Sequence, residues 1–114
     1  MFKFQRLNVW LKAKNYSKDL FFVANSLPVS YRYSFTDQLV RAGLSITNNI
    51  AEGTGRISKP EQRNFFNMSK GSVYETVNIL LILSEMGLVD HKKLDELTNK
   101  ADEVCKMLSG LIRK

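Results

Sequence analysis

The sequence predicts an all-α fold, an antiparallel up-down-up-down four-helix bundle formed by one domain over residues 1–114. Three observations carry this. Apolar residues recur at spacings of three and four in four successive segments, the punctuation between them is brief (Leu27-Pro28, Gly53-Thr54-Gly55, Gly87-Leu88), and no stretch alternates as a strand would. Two Pro and six Gly are too few for a turn-rich β architecture. Short links force each helix to run back along its predecessor.

The first helix is expected over about Lys3 to Ser26, ending before Pro28, whose ring disfavours a helical residue ahead of it. Phe4, Leu7, Trp10, Leu11, Leu20, Phe21, Phe22 and Val23 spread over most of its circumference. Asn8, Lys12, Asn15, Asp19 and Ser26 are left as its polar strip. One neighbouring surface cannot cover so wide an apolar arc, which predicts a second buried face within a bundle or between subunits.

The second helix is read from Ser34, as N-cap with Asp37 three residues on, to Glu52, with Gly53 at the C-cap. Phe35, Leu39, Ala42, Gly43, Ile46 and Ile50 form its core stripe, and small Ala42 and Gly43 permit close approach of another helix. The third helix starts with Ser58-Lys59-Pro60-Glu61, a capping box with Pro in the first turn, and runs about 26 residues to Gly87. Glu75 falls there with Met68, Ile79, Ile82 and Met86, predicting a buried carboxylate that needs a partner, for which Arg41 is suited. Asp90 caps the fourth helix, whose stripe is Leu94, Leu97, Ala101, Val104, Cys105, Leu108, Leu111 and Ile112.

One Cys and one His exclude an intramolecular disulfide and leave no donor set for zinc, so neither a metal nor another cofactor is expected. No apolar run reaches membrane-span length and the start Met1-Phe2-Lys3-Phe4 lacks a signal-peptide core, which predicts a cytoplasmic protein without a membrane partner. Seventeen Lys and Arg against eleven Asp and Glu favour a polyanionic partner. The first eighteen residues hold five basic groups and no acid. The nucleic-acid-binding candidates are Lys3, Arg6, Lys12, Lys14 and Lys18, then Arg32, Arg56, Lys59 and Arg63, with Tyr31 and Tyr33 placed to stack on bases.

The middle of the chain resembles the four-helix bundle proteins named after the 23S ribosomal RNA intervening sequences. The likeness rests on Gln38-Leu39-Val40-Arg41-Ala42, on Ser45-Ile46-Thr47-Asn48-Asn49-Ile50-Ala51-Glu52-Gly53, on Gly55-Arg56, and on Gly71-Ser72 with Glu75. That family is similar in fold to the accessory variability protein of diversity-generating retroelements. The resemblance implies a homopentamer around a central channel, nucleic-acid binding, RNA above all, and docking of a reverse transcriptase or another nucleic-acid enzyme.

Gln38, Arg41, Ser45, Asn48, Asn49, Glu52 and Glu75 are read as a structural polar network that fixes register between helices or subunits. A catalytic use of Glu52 and Glu75 needs a pocket and split pKa values that no motif here supplies, so no catalytic residue is assigned and a non-enzyme is expected. Gly53-Thr54-Gly55 lacks the ending and preceding strand of a phosphate loop. The competing reading is a structural or adaptor ring whose charge has no nucleic-acid role.

Overall fold

Ser58 and Asp90 start their helices by satisfying first-turn amides: the Ser58 hydroxyl accepts from Glu61 N–H at 3.3 Å, and the Asp90 carboxylate from Lys93 N–H at 2.7 Å. The resulting computed structural model, which describes Met1 to Lys114 throughout, has four long helices: α1 (Asn8–Ser26), α2 (Asp37–Thr54), α3 (Lys59–Glu85) and α4 (His91–Arg113). Each packs on the next and α4 closes on α1, giving the expected all-α bundle with no strand. At Gly87, φ is +76°, and the N–H groups of Gly87 and Leu88 return to Ser84 and Leu83 carbonyls, a Schellman ending that requires glycine's left-handed freedom.

Three boundaries differ from the sequence reading. The first helix breaks at Leu7, which is extended, leaving a 3₁₀ turn at Lys3–Arg6 that folds Phe4 edge-on against Trp10 at 5.1 Å. Ser34 does not cap α2, because a π-helical turn at Arg32–Thr36 runs into it and the Ser34 hydroxyl donates to Tyr31 C=O instead. Gly53 is no C-cap. It lies inside α2, where a Cβ would stand 2.7 Å from the Phe66 ring, so its job is to admit α3, which starts after a short link.

The core is built from Tyr16 and Leu20 of α1, Leu39, Ile46 and Ile50 of α2, Val73, Leu80 and Leu83 of α3, and Leu97, Val104 and Leu108 of α4. Burying each such aliphatic side chain contributes about 1.5–3 kcal/mol. Close α1–α2 approach at Gly43 is confirmed: a Cβ would lie 3.3 Å from a Leu20 methyl, and the Ser17 hydroxyl donates to Gly43 C=O at 2.6 Å. Ser69 likewise donates from α3 to Ile46 C=O of α2 at 2.7 Å. Diagonally across the centre, fully buried Tyr16 and Thr76 share a 2.9 Å hydrogen bond. Burial pushes the Tyr16 phenol up to about 12, against the opposing pull of the Thr76 hydrogen bond.

The phase of α3 corrects the expected burial of Glu75. Phe66, Ser69, Val73, Thr76, Ile79, Leu80 and Leu83 point inward, so Thr76 takes the core position and Glu75, one residue back, faces solvent. Arg41 is exposed as well and forms no ion pair with it. Met68, Ile82 and Met86 stay 47%, 38% and 44% exposed, which marks the strip they share with Glu75 as an outer surface.

Candidate nucleic-acid interface

Antiparallel packing collects chain segments that are far apart in sequence at the same end of the bundle. The 3₁₀ turn contacts α2, and Leu7 and Asn8 line a crevice with Leu111 of α4 and Lys114 just beyond it, while the α2–α3 link closes the remaining corner. Lys3, Arg6, Arg56, Lys59 and Arg63 therefore sit at one end. Arg113 and Lys114 join them, two cations that the sequence reading missed and that the antiparallel return of α4 alone could have located. Residues 1–8, 52–63 and 109–114 carry seven basic and two acidic side chains; the opposite end, 25–38 and 84–97, carries three basic and five acidic. Helix dipoles alternate in direction and largely cancel, so the field arises from side chains.

Arg56 is held most firmly at this end. Its guanidinium lies 4.6 Å over the Phe65 ring and 3.9 Å from the Glu52 carboxylate, while Gln62 donates to its carbonyl at 2.8 Å. The α3 N-terminus beside it is already satisfied by Ser58, whose hydroxyl also contacts the Glu61 carboxylate at 3.0 Å. That carboxylate opposes an anion there, so the positive potential of this end comes from the cationic side chains.

The other expected contacts lie elsewhere. Lys12 faces α4 and pairs with Glu103 at 3.1 Å, next to the Lys100–Asp19 pair, so it is partly neutralised. Lys14 lies 5.2 Å over the Trp10 ring and, with Lys18, edges an apolar groove of about 470 Å³ between α1 and α2. Trp10, Phe21, Phe22, Val40 and Leu44 line that groove. Arg32 is exposed in the π-helical turn at the opposite end, and Tyr31 turns its ring edge to Phe35 at 5.8 Å while Tyr33 stays exposed.

Of the seven residues expected in a polar network, the fold joins two within the chain. Asn49 donates to the Ser45 carbonyl at 2.8 Å and to its hydroxyl at 3.1 Å, and Ser72 of α3 donates to the same hydroxyl at 2.8 Å. Gln38, Arg41, Asn48 and Glu75 face solvent without a hydrogen bond in the chain. Glu52 and Glu75 are not brought together: reckoned from the Ser45–Ser72 contact, they stand about 15 Å apart along the bundle axis. His91 is exposed at the first position of α4, and no three His, Cys, Asp or Glu side chains converge. Burial pushes the thiol of half-buried Cys105 up, with Lys70 opposing the shift.

A profile of 23S rRNA-intervening sequence proteins matches residues 5–110, which take in every helix almost to its end. The chain belongs to that family. Among solved structures, this intervening-sequence protein is similar to one of the S23 ribosomal protein family from Bacteroides thetaiotaomicron VPI-5482, described as of unknown function. The two are 21% identical and superpose with a TM-score of 0.86 over 93% of this chain and 99% of the other, which establishes a shared fold. No curated protein matches. No helix is long and apolar enough to cross a membrane.

Proposed function

We propose that this intervening-sequence protein is a non-enzymatic, homo-oligomeric nucleic-acid-binding bundle of the cytoplasm, with RNA as its first ligand. The observation that carries the reading is the polarity of the bundle, whose one end gathers Lys3, Arg6, Arg56, Lys59, Arg63, Arg113 and Lys114. Such an end neutralises backbone phosphates without reading bases, and the chain has no base-reading module that would add sequence specificity. Copies arranged side by side would present several basic ends on one rim, converting weak contacts into avid ones. The pentamer, and docking of a nucleic-acid enzyme such as a reverse transcriptase, extend this reading through the family resemblance.

The test is a fluorescence-anisotropy titration of a structured RNA and a matched DNA duplex at low and near-physiological salt. Saturable binding whose logarithm falls linearly with log salt is expected, tighter for the RNA. Flat titrations of both would leave the ring or adaptor reading in its place.

A further inference from the structure

Besides the α3/α4 crevice that Tyr74 edges, two adjacent sides of the bundle combine exposed apolar residues with unpaired charge. Between α1 and α2 lies the apolar groove, with Phe21 46%, Phe22 66% and Leu44 54% exposed and the amines of Lys14 and Lys18 free of any carboxylate. The adjacent side, between α2 and α3, presents Met68, Gly71, Glu75 and Ile82 beside Arg41. Gly71 stands out there. It lies in mid-helix, where glycine costs about 0.5–1 kcal/mol relative to alanine, and nothing in its own subunit comes within 4 Å of where its Cβ would be. As at Gly110 of α4, no contact inside the subunit calls for its missing side chain, and at Gly71 the gap leaves room for a surface seated from outside.

We propose that these two sides are complementary, the α1/α2 groove of one copy being covered by the α2/α3 side of a second copy. The inference rests on the homo-oligomer reading and assigns its interface. Charge and height agree. Helices α1 and α3 run parallel and are tied at one level by the Tyr16–Thr76 hydrogen bond, so Lys18 and Glu75 lie within about one helical turn of each other along the axis. Rotation about an axis parallel to the bundle preserves height and brings Glu75 of the second copy to Lys14 and Lys18. Gly71 then opposes the groove at the level of Trp10, and Ile82 meets the apolar stretch around Phe22.

Size and closure also agree. One side of a bundle measuring 43 × 24 × 23 Å can supply the roughly 800 Å² per partner of a standard interface. The contact is heterologous, since different surfaces meet, and adjacent sides of a four-helix bundle face about 90° apart, which closes a ring at about four or five copies. All basic ends then lie on the same rim.

The experiment uses the full chain, native mass spectrometry and light scattering. One variant blocks the groove, Phe22→Glu with Leu44→Glu; the other blocks the α3 strip, Gly71→Gln with Glu75→Lys. All four positions are solvent-facing, and helicity by circular dichroism checks the fold. Each variant alone is expected to be monomeric, whereas mixing them should give a 1:1 dimer, because each retains the half that the other lacks. Lys18→Glu and Glu75→Lys should each raise the assembly dissociation constant about tenfold, and together restore it. Two blocked variants that keep wild-type mass, or that fail to pair when mixed, overturn the assignment of faces while leaving homo-oligomerisation standing. A monomeric wild-type chain at tens of micromolar overturns both.

Discussion

Exchanging Arg6, Lys59 and Arg63 for Gln removes three cations from the basic end while leaving every core side chain in place. Each duplex phosphate contact contributes about 0.9 to the slope of log affinity against log salt, so three lost contacts per binding copy lower its magnitude by about 2.7. For a single-stranded target the factor is about 0.7 and the change about 2.1. Between 50 and 200 mM salt the wild type would lose about 40-fold more duplex affinity than the variant, an interval that anisotropy resolves easily. Lys12→Gln is the matched control, since Lys12 is engaged by Glu103 on the α4 side and its loss should leave the slope unchanged. An unaltered slope in the folded triple variant, or an equal fall in the control, would refute the basic end as the phosphate surface.

Three further outcomes test the interior by chemical denaturation. Gly53→Ala should destabilise by about 1–3 kcal/mol, because its methyl would meet the buried Phe66 ring at 2.7 Å; in Gly43→Ala the 3.3 Å approach to a Leu20 methyl is offset by about 1 kcal/mol of helix propensity, leaving little net change. Thr76→Val leaves the Tyr16 hydroxyl unpaired at a cost of about 1–3 kcal/mol, and adding Tyr16→Phe should recover part of that loss. Tyr16 is also an alkaline switch for stability. Its pKa rises from about 10 unfolded to about 12 folded, so its contribution is complete below pH 10 and declines as pH climbs through 12, by up to roughly 3 kcal/mol. Tyr16→Phe should flatten that decline relative to wild type; parallel curves would contradict it.

The fold was legible because its signals are local. Pro28, Gly87, Ser58 and Asp90 mark boundaries through their own backbone preferences, and the stripes of α2 and α4 repeat cleanly enough to fix the inward face. In α3 apolar residues occur all round, so two phases compete; the right one buries Thr76, a polar residue acceptable only because Tyr16 waits for it on another helix. Pattern within α3 cannot register a partner sixty residues away. The basic end was half legible for the same reason: Lys3 and Arg6 declare themselves as a cluster, but Arg113 and Lys114 join it only once the chain has turned back three times.

The phase of α3 links folding to assembly. With Thr76 inward, the helix keeps Met68, Gly71, Glu75 and Ile82 for the outside, where none of the four helices covers them. A self-sufficient bundle would replace Phe22, Leu44 and Ile82 with charged residues at no cost to its interior, as the opposite flanks of α4 have done with Asp95, Glu96, Lys100, Asp102, Glu103 and Lys106. Helix α4 touches neither uncovered side, and its face is sharply divided, as in a helix whose back meets water. Apart from Tyr74 and Leu81 of α3, the exposed apolar surface along the bundle thus concentrates on the two sides that share α2. That is the pattern of a subunit with a neighbour on each of two adjacent sides, and it leaves the basic end open to a polyanion.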